Sequence, residues 1–230
     1  MITSALFTQV GLDSGALGLL GSVAHVLEKP GEYDGTVLVD DADAGQFQVV
    51  VREGGASQVD VDLASVATGR GDDCGCSGTP GPAILRPGGH LLLHVGSGRG
   101  RYAAVLATGL GDNQQVVFDS RLLDASDVFA ATVLRPGRYQ VTNTENGATA
   151  ALEVSYPERG RRPYRPADPV RVEVGAEFSP REIQVGPAQG QVFAAQGPAR
   201  VTIELAEPYD RNPEQGQPVY RKVRGPRAPR

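Results

Sequence analysis

The sequence is poor in the side chains on which enzyme and cofactor chemistry depends. Its 230 residues include no tryptophan, one methionine, two cysteines and three histidines. A serine–histidine–aspartate triad needs a histidine beside its nucleophile, and no Gly-x-Ser-x-Gly motif presents such a serine on a sharp turn. No other catalytic signature is present. We therefore predict that the protein is not an enzyme and holds no cofactor.

The sequence also has no apolar run of the about 20 residues that a membrane-spanning helix needs. The uncharged stretch at residues 14–27 follows Asp13, and no lysine or arginine precedes it. A secretory signal would have a basic segment before an uninterrupted apolar one. We expect a soluble chain without a convincing signal peptide, and the sequence leaves its compartment unknown.

The first 29 residues carry apolar side chains at helical spacing. Five of them recur at steps of three, four or seven residues, namely Leu6, Val10, Leu17, Leu20 and Leu27. This periodicity predicts an amphipathic helix that ends before Pro30. The glycines within it each weaken a helix by about 1 kcal/mol relative to alanine. We expect close packing on the body or on a neighbouring subunit to offset that loss.

From residue 30 onward the pattern changes to short runs rich in β-formers and bounded by turn residues. In residues 59–63, Val-Asp-Val-Asp-Leu, apolar and charged side chains alternate strictly, as in a half-buried antiparallel strand. About twelve such runs predict an all-β protein built as an antiparallel β-sandwich. The runs are GTVLV, QFQVVV, SQVDVDLASV, HLLLHV, RYAAVLAT, QQVVFDS, RYQVTN, TAALEVSY, VRVEV, REIQV, GQVFAA and ARVTIEL.

Three Pro-Gly segments share one pattern, with a leucine and a charged residue before them and an aromatic residue or histidine after them. They begin at Leu27 (LEKPGEY), Leu85 (LRPGGH) and Leu134 (LRPGRY). Proline and glycine fit the central positions of a type II turn, so each is predicted to reverse the chain into the next strand. Asn146-Gly147 predicts the tip of a hairpin after the third.

The strand pattern and Pro-Gly-x-Tyr turns of about residues 130–205 resemble immunoglobulin-like or cupredoxin-like modules. The resemblance implies a sandwich fold. It does not imply the copper chemistry of cupredoxins, because no histidine, cysteine or methionine follows His94 to supply the usual ligands.

Composition divides the chain into five predicted parts. A stretch rich in proline and arginine is typical of an extended linker, and the polar, basic C-terminal segment is typical of an extended tail. The parts are an N-terminal helix or arm (1–29), a principal β-sandwich (30–157), a linker (158–169), a small β unit (170–207) and a basic tail (208–230).

Charge is distributed unevenly along the chain. Residues 1–158 carry 9 Lys and Arg against 19 Asp and Glu, whereas residues 159–230 carry 13 against 8. An acidic body and a basic end attract other copies of the same chain. We therefore predict a non-catalytic structural subunit of a homo-oligomeric assembly, such as a shell, fibre or particle coat, held by terminal arms. The expected contacts join Arg161, Arg162, Arg165, Arg221 and Arg224 to acidic patches that include Asp40, Asp41 and Asp43.

The basic end also supports an alternative, a binding module for an anionic partner such as nucleic acid. Few aromatic side chains lie among the arginines beyond Tyr164 and Tyr220, so no stacking platform for bases is evident. The GSGRGR segment at Gly96 lacks the Gly-Lys-Ser/Thr ending of a phosphate-binding loop and precedes no predicted helix.

A third function class depends on the segment from Thr68 to Pro82, TGRGDDCGCSGTPGP, which holds both cysteines. Cys74 and Cys76 can form a local disulfide, act as an exchanging thiol pair or bind a soft metal. His90 and His94 lie on one face of a predicted strand and would complete a four-ligand set for zinc or copper. A metal or redox protein is the remaining alternative.

Overall fold

The computed structural model describes residues 11–69, 81–109, 114–156 and 164–209. These residues form an all-β fold with fifteen strands and one short helix, as the runs of β-formers predict. The first eight strands are β1 Gly11–Asp13, β2 Gly21–Leu27, β3 Gly31–Val39, β4 Ala42–Asp62, β5 Ala83–His94, β6 Tyr102–Thr108, β7 Gln115–Asp119 and β8 Val128–Thr132. The others are β9 Gly137–Asn143, β10 Thr149–Val154, β11 Val170–Val174, β12 Phe178–Ser179, β13 Glu182–Val185, β14 Gly190–Ala195 and β15 Val201–Pro208.

The strands form two sheets. The five-stranded sheet has the order β1-β15-β9-β10-β13, and the ten-stranded sheet has the order β12-β11-β14-β8-β2-β5-β4-β3-β6-β7. Three neighbouring pairs are parallel: β4 with β5, β10 with β13, and β11 with β14. The prediction of a purely antiparallel arrangement is therefore wrong. Long connections join the strands of each of these pairs, and such connections let neighbouring strands run in the same direction.

The ten-stranded sheet is strongly curved. Strand β7 is five places from β2 in the strand order, which is about 24 Å in a flat sheet with strands 4.8 Å apart. Yet the rings of Phe118 on β7 and His25 on β2 stack with their centroids 4.1 Å apart. The sheet therefore folds over on itself and encloses part of one hydrophobic cluster, to which both sheets contribute.

The predicted N-terminal helix is wrong over the described residues from Gly11 onward, which form β1, a turn and β2. Val23 and Leu27 lie on the buried side of β2 at an even spacing, which suits a strand. Strand β2 pairs with β5 on one side and with β8 on the other. This pairing satisfies its backbone, whereas the glycines of the segment weaken the competing helix.

The alternation predicted at residues 59–63 is confirmed, because Val61 is buried while Asp60 is exposed, but the predicted antiparallel pairing is wrong here, since this stretch pairs with β5 in parallel. The strand nevertheless ends earlier than predicted, at Asp62, where helix α1 (Leu63–Thr68) begins. The carboxylate of Asp62 accepts hydrogen bonds from the Ala64 backbone N–H and the Ser65 hydroxyl, at 3.1 and 2.8 Å. An N-cap of this kind starts a helix where the side-chain pattern alone favours a strand.

Two of the three Pro-Gly segments form the same buried corner. The hydroxyl of Tyr33 donates to the carbonyl of Lys29 at 2.6 Å, and that of Tyr139 donates to the carbonyl of Arg135 at 2.7 Å. Burial raises the pKa of both tyrosines. Each corner connects strands that do not pair with each other, β2 to β3 and β8 to β9, so the predicted direct chain reversal is wrong. A buried ring and its hydroxyl hydrogen bond hold the chain as it leaves one strand pair for another.

The third Pro-Gly segment, at Leu85, lies inside strand β5 and forms no corner, because the exposed His90 stands where the buried tyrosines stand in the other two. The hairpin predicted at Asn146-Gly147 is confirmed: β9 and β10 pair antiparallel, and the Gly147 N–H donates to the Asn143 carbonyl at 2.8 Å with Gly147 at φ 73°.

Strands of the predicted small β unit, residues 170–207, pair directly with strands of the predicted sandwich. Strand β14 pairs with β8, and β15 lies between β9 and β1. The five predicted parts stay predictions, but backbone pairing crosses their boundaries. No helix in the described part of the chain is long and apolar enough to cross a membrane.

Candidate functional site: two exchanged strands

Two short segments of the chain repeat one structure 106 positions apart. They are Leu12–Leu17 (LDSGAL) and Phe118–Leu123 (FDSRLL), and we call them the first and second Asp-Ser segments. The two tyrosine corners have the same separation, since Tyr33 and Tyr139 are also 106 positions apart. The structure therefore contains two related halves, a first half of strands β2–β6 and a second half of strands β8–β15.

The aspartate of each Asp-Ser segment closes a tight turn at the end of its strand. Asp13 Oδ1 accepts the backbone N–H of Gly15 at 2.8 Å, and Asp119 Oδ1 accepts the backbone N–H of Arg121 at 3.0 Å. A side-chain oxygen that accepts the N–H two residues later is a local turn signal of aspartate. The short sequence thus fixes how each segment leaves its strand.

The serine of each segment anchors it to a strand of the opposite half. Ser14 donates its N–H to the Val201 carbonyl at 2.9 Å, and its hydroxyl oxygen accepts the Val201 N–H at 2.9 Å. Ser120 makes the same pair of bonds with Ala104, at 2.9 and 2.8 Å. Both serines are completely buried. A buried hydroxyl that satisfies a buried N–H is costly to remove, so these anchors define the position of each segment.

The leucine that ends each segment returns to its own half. Leu17 exchanges two backbone hydrogen bonds with Tyr102, at 2.7 and 2.9 Å, and Leu123 exchanges two with Ala199, at 2.8 and 2.9 Å. Both leucines are completely buried. The chain therefore crosses from one half to the other in the two residues between the serine and the leucine.

The strands that precede the serines are consequently exchanged between the halves. Strand β1 precedes the first half but pairs with β15 of the second half, with Leu12 opposite Ile203. Strand β7 precedes the second half but pairs with β6 of the first half, with Phe118 opposite Leu106. In the described part of the chain each of them is an edge strand with a single neighbour. The first strand of each half thus pairs with a strand of the other half.

The two halves meet about a pseudo-twofold axis between β2 and β8. Val23 is paired with Phe129, which is its own counterpart 106 positions later. On one side of this pair Gly21 faces Ala131, and on the other side the equivalent positions hold His25 and Asp127. Equivalent strands that pair antiparallel at equivalent residues are the geometry of a twofold-related dimer. The single chain is built like such a dimer.

The interaction between His25 and Asp127 has no counterpart on the other side of the axis, where the equivalent positions hold Ala131 and Gly21. His25 Nδ1 lies 2.7 Å from Asp127 Oδ1, and the Asp124 N–H donates to Asp127 Oδ2 at 2.8 Å. Both Asp127 oxygens are therefore satisfied although the residue is buried. With Phe118 stacked on the His25 ring, this pair ties β7 to the centre of the molecule.

Arginines reinforce both Asp-Ser segments. Arg200 binds Asp13 through two nitrogens, at 3.1 and 2.8 Å, and these hydrogen bonds raise the pKa of the Arg200 guanidinium. Arg121 binds Asp119 in the same forked manner, through Nε to Oδ1 at 3.0 Å and through Nη2 to Oδ2 at 2.6 Å. Burial opposes ionisation of Asp119, but the hydrogen bonds and charge of Arg121 outweigh it and lower the pKa of that carboxyl. Forked pairs fix direction as well as distance.

Gly15 lies where the two Asp-Ser segments touch. A Cβ at this position would lie 2.8 Å from the Arg121 carbonyl oxygen and 2.7 Å from Arg200 Nε. Gly15 and Arg121 are themselves counterparts in the two segments. The close approach of two backbones therefore requires glycine in one segment and permits arginine in the other.

A groove of about 440 Å³ borders the first Asp-Ser segment. Its walls include Asp13 and the loop between β5 and β6, where Arg99 and Arg101 follow Gly98. The side chain of Arg101 is 67% exposed and reaches Asp13 only at 3.5 Å. Arg101 lines the groove together with Arg99, and guanidinium groups are suited to binding oxyanions.

Several residues predicted as assembly contacts lie outside the described residues, namely Arg161, Arg162, Arg221 and Arg224. Arg165 is described and exposed. Asp40 and Asp41 form the tip of the β3–β4 hairpin, with φ of 50° and 66°, and Asp43 is exposed just beyond it. Arg121 is 3.9 Å from Asp41, so part of the acidic patch already has a cation from the same chain.

Cys74 and Cys76 also lie outside the described residues. His90 and His94 are on one face of β5, with about 13 Å of strand between their Cα atoms. That separation disfavours one ion held by both imidazoles, and the four-ligand site stays a prediction. The described residues hold no group of three or more histidine, cysteine or acidic side chains arranged around a common metal position.

The Asp-Ser segments were not predicted. The repeated Pro-Gly segments contain the tyrosines of the two corners, but they do not include the exchanged strands that precede them. A comparison of the chain with itself at a shift of 106 residues aligns QVGLDSGAL with QVVFDSRLL and contains the missing signal. No model of a protein family, no curated protein and no solved structure is significantly similar to the chain.

Proposed function

We propose that the protein is a non-catalytic structural subunit of a homo-oligomeric assembly that uses terminal arms. The observation that supports it is the exchange of first strands between the two halves. Strand β1, near the chain start, completes a sheet whose partner strand β15 is close to the chain end. Strands that complete another unit's sheet are a general means of association, because the edge they cover would otherwise present unpaired backbone groups.

The mass of the native particle, measured by light scattering, tests this proposal. We expect a discrete species several times heavier than the 24.1 kDa chain. Variants without residues 1–13 or without residues 210–230 should be smaller, and circular dichroism should show that they keep the β structure. A full chain that stays at 24.1 kDa at every concentration would contradict the proposal.

The groove supports a second candidate function, a binding module for an anionic partner. Arg99 and Arg101 line it on the same loop, and guanidinium groups bind carboxylate and phosphate oxygens in pairs. We expect a single-stranded DNA oligonucleotide to bind at low salt and to be released as salt rises. Binding should be lost in Arg99→Ala, Arg101→Ala and kept in Arg138→Ala, a control at another exposed arginine that pairs with Glu207.

The metal or redox alternative has its own test. We expect no zinc or copper in protein purified without a tag, and one ion per chain that is lost in the Cys74→Ser, Cys76→Ser variant would establish that alternative instead. The finer fold assignment, an immunoglobulin-like or cupredoxin-like sandwich, also stays a proposal. It is supported by the curvature that brings β7 over β2.

A further inference from the structure

The two exchanged strands differ in how the chain connects them to the strand that receives them. Strand β7 follows β6 directly, and the two pair as consecutive antiparallel strands. Strand β1 is received by β15, which begins 188 residues after β1 ends (Val201 and Asp13). No short connection therefore obliges β1 to pair with the β15 of its own chain.

Strand β1 is also a small unit to transfer. Within the described residues, which start at Gly11, it has three paired residues, with Gly11 opposite Glu204, Leu12 opposite Ile203 and Asp13 opposite Thr202. Asp13 binds Arg200 and Ser14 binds Val201, both in the receiving half, and Asp13 has one longer contact of 3.5 Å with Arg101 of its own half. Every contact that β1 makes with β15 can thus form equally well with the β15 of a second copy.

The crossing point of the first Asp-Ser segment is short. Leu17 is bound to Tyr102 of its own half, so the pivot is confined to Gly15 and Ala16. A short connection of this kind favours exchange between copies, because it restricts how the strand folds back on its own chain. Gly15 gives the backbone the conformational freedom to direct β1 toward a second copy.

We infer that β1 is an exchange strand, which leaves its own chain and pairs with β15 of a second copy of the same protein. The inference rests on the proposed function, since exchange in trans requires an assembly. The internal arrangement is its precedent, because each half of the chain already lends its first strand to the other. Reciprocal exchange closes a dimer, and one-way exchange extends a chain of subunits.

Disulfide trapping between two different chains tests the inference. In a Cys74→Ser, Cys76→Ser background, one chain carries Gly11→Cys and the other Glu204→Cys, which are directly opposite in the β1–β15 pair. Directly opposed residues of antiparallel strands have Cα atoms about 4.5–5.5 Å apart, within the range of a disulfide. After refolding the two chains together, we expect a covalent heterodimer that disappears on reduction.

The β6–β7 pair supplies a matched control. Thr108 and Gln115 are directly opposite in it, so chains with Thr108→Cys and Gln115→Cys are mixed and refolded in the same way. We expect no heterodimer from this mixture, because β7 stays with the adjacent β6. A chain that carries both Thr108→Cys and Gln115→Cys should form an internal disulfide, whereas a chain that carries both Gly11→Cys and Glu204→Cys should form disulfides between chains.

The possible outcomes separate the inference from the proposed function. A heterodimer from the β1–β15 mixture alone supports exchange. Heterodimers from both mixtures, or from neither while both internal disulfides form, overturn it. If neither mixture forms a heterodimer but light scattering still shows an assembly, the proposed function holds through another surface and only the exchange fails. A monomer in light scattering with no heterodimer contradicts both.

Discussion

Strands β1 and β7 have related sequences and equivalent anchors, yet their places in the chain give them different freedom. Both end in an aspartate turn, both are followed by a buried serine bound to the opposite half, and both lie at a sheet edge. Strand β7 is held beside β6 by a short connection, whereas β1 reaches β15 across most of the chain. Local sequence thus determines which contacts such a strand makes. The length of chain between it and the strand that receives it determines whether it can pair with a second copy instead.

The largest effects are expected at the leucines where the chain returns to its own half. Leu17→Ala and Leu123→Ala should each lower the free energy of unfolding by about 2–5 kcal/mol, because each removes a fully buried side chain. Urea unfolding measures the free energy of unfolding of the two variants. Similar losses would support the equivalence of the halves, and a cost below about 1 kcal/mol at either position would contradict it.

Intermediate effects are expected at the serine anchors. Ser14→Ala and Ser120→Ala leave the buried N–H of Val201 or Ala104 without its acceptor and should cost about 1–3 kcal/mol each. Ser57→Ala, at an exposed position, is the control and should change stability by less than about 0.5 kcal/mol. Hydrogen exchange should show that Ser14→Ala loosens β1 more than Ser120→Ala loosens β7. Equal increases in the hydrogen exchange of β1 and β7 would contradict the idea that β1 is attached less firmly than β7.

The smallest effect is a pH dependence at the second Asp-Ser segment. Since Arg121 lowers the folded-state pKa of Asp119, the pair contributes stability above the unfolded pKa of about 4 and loses it as pH falls through the folded value. The partly exposed pair limits this contribution to about 1 kcal/mol or less. Asp119→Asn should therefore be less stable than the native chain at pH 7 and equal to it near pH 2. A constant difference across that range would contradict the assignment.

Much of the strand content was predictable, because short alternating runs separated by turn residues are typical of sheets. Helix α1 was not, since the Asp62 cap overrides a pattern that continues as a strand. The N-terminal helix was predicted because leucines recur at helical steps. That prediction failed because the pairing of β2 on both sides, which no local pattern contains, stabilises the strand instead.

By itself the sequence determined the β character, the aspartate turns, the tyrosines of the two corners and a duplication visible at a shift of 106 residues. These features depend on side chains acting on their near neighbours in the chain. Only the tertiary structure decided that β1 lies on β15 and β7 on β6, and that the halves meet between Val23 and Phe129. The physical reason is that backbone hydrogen bonds between strands are the same for any partner, so burial and connection select which edge each strand covers.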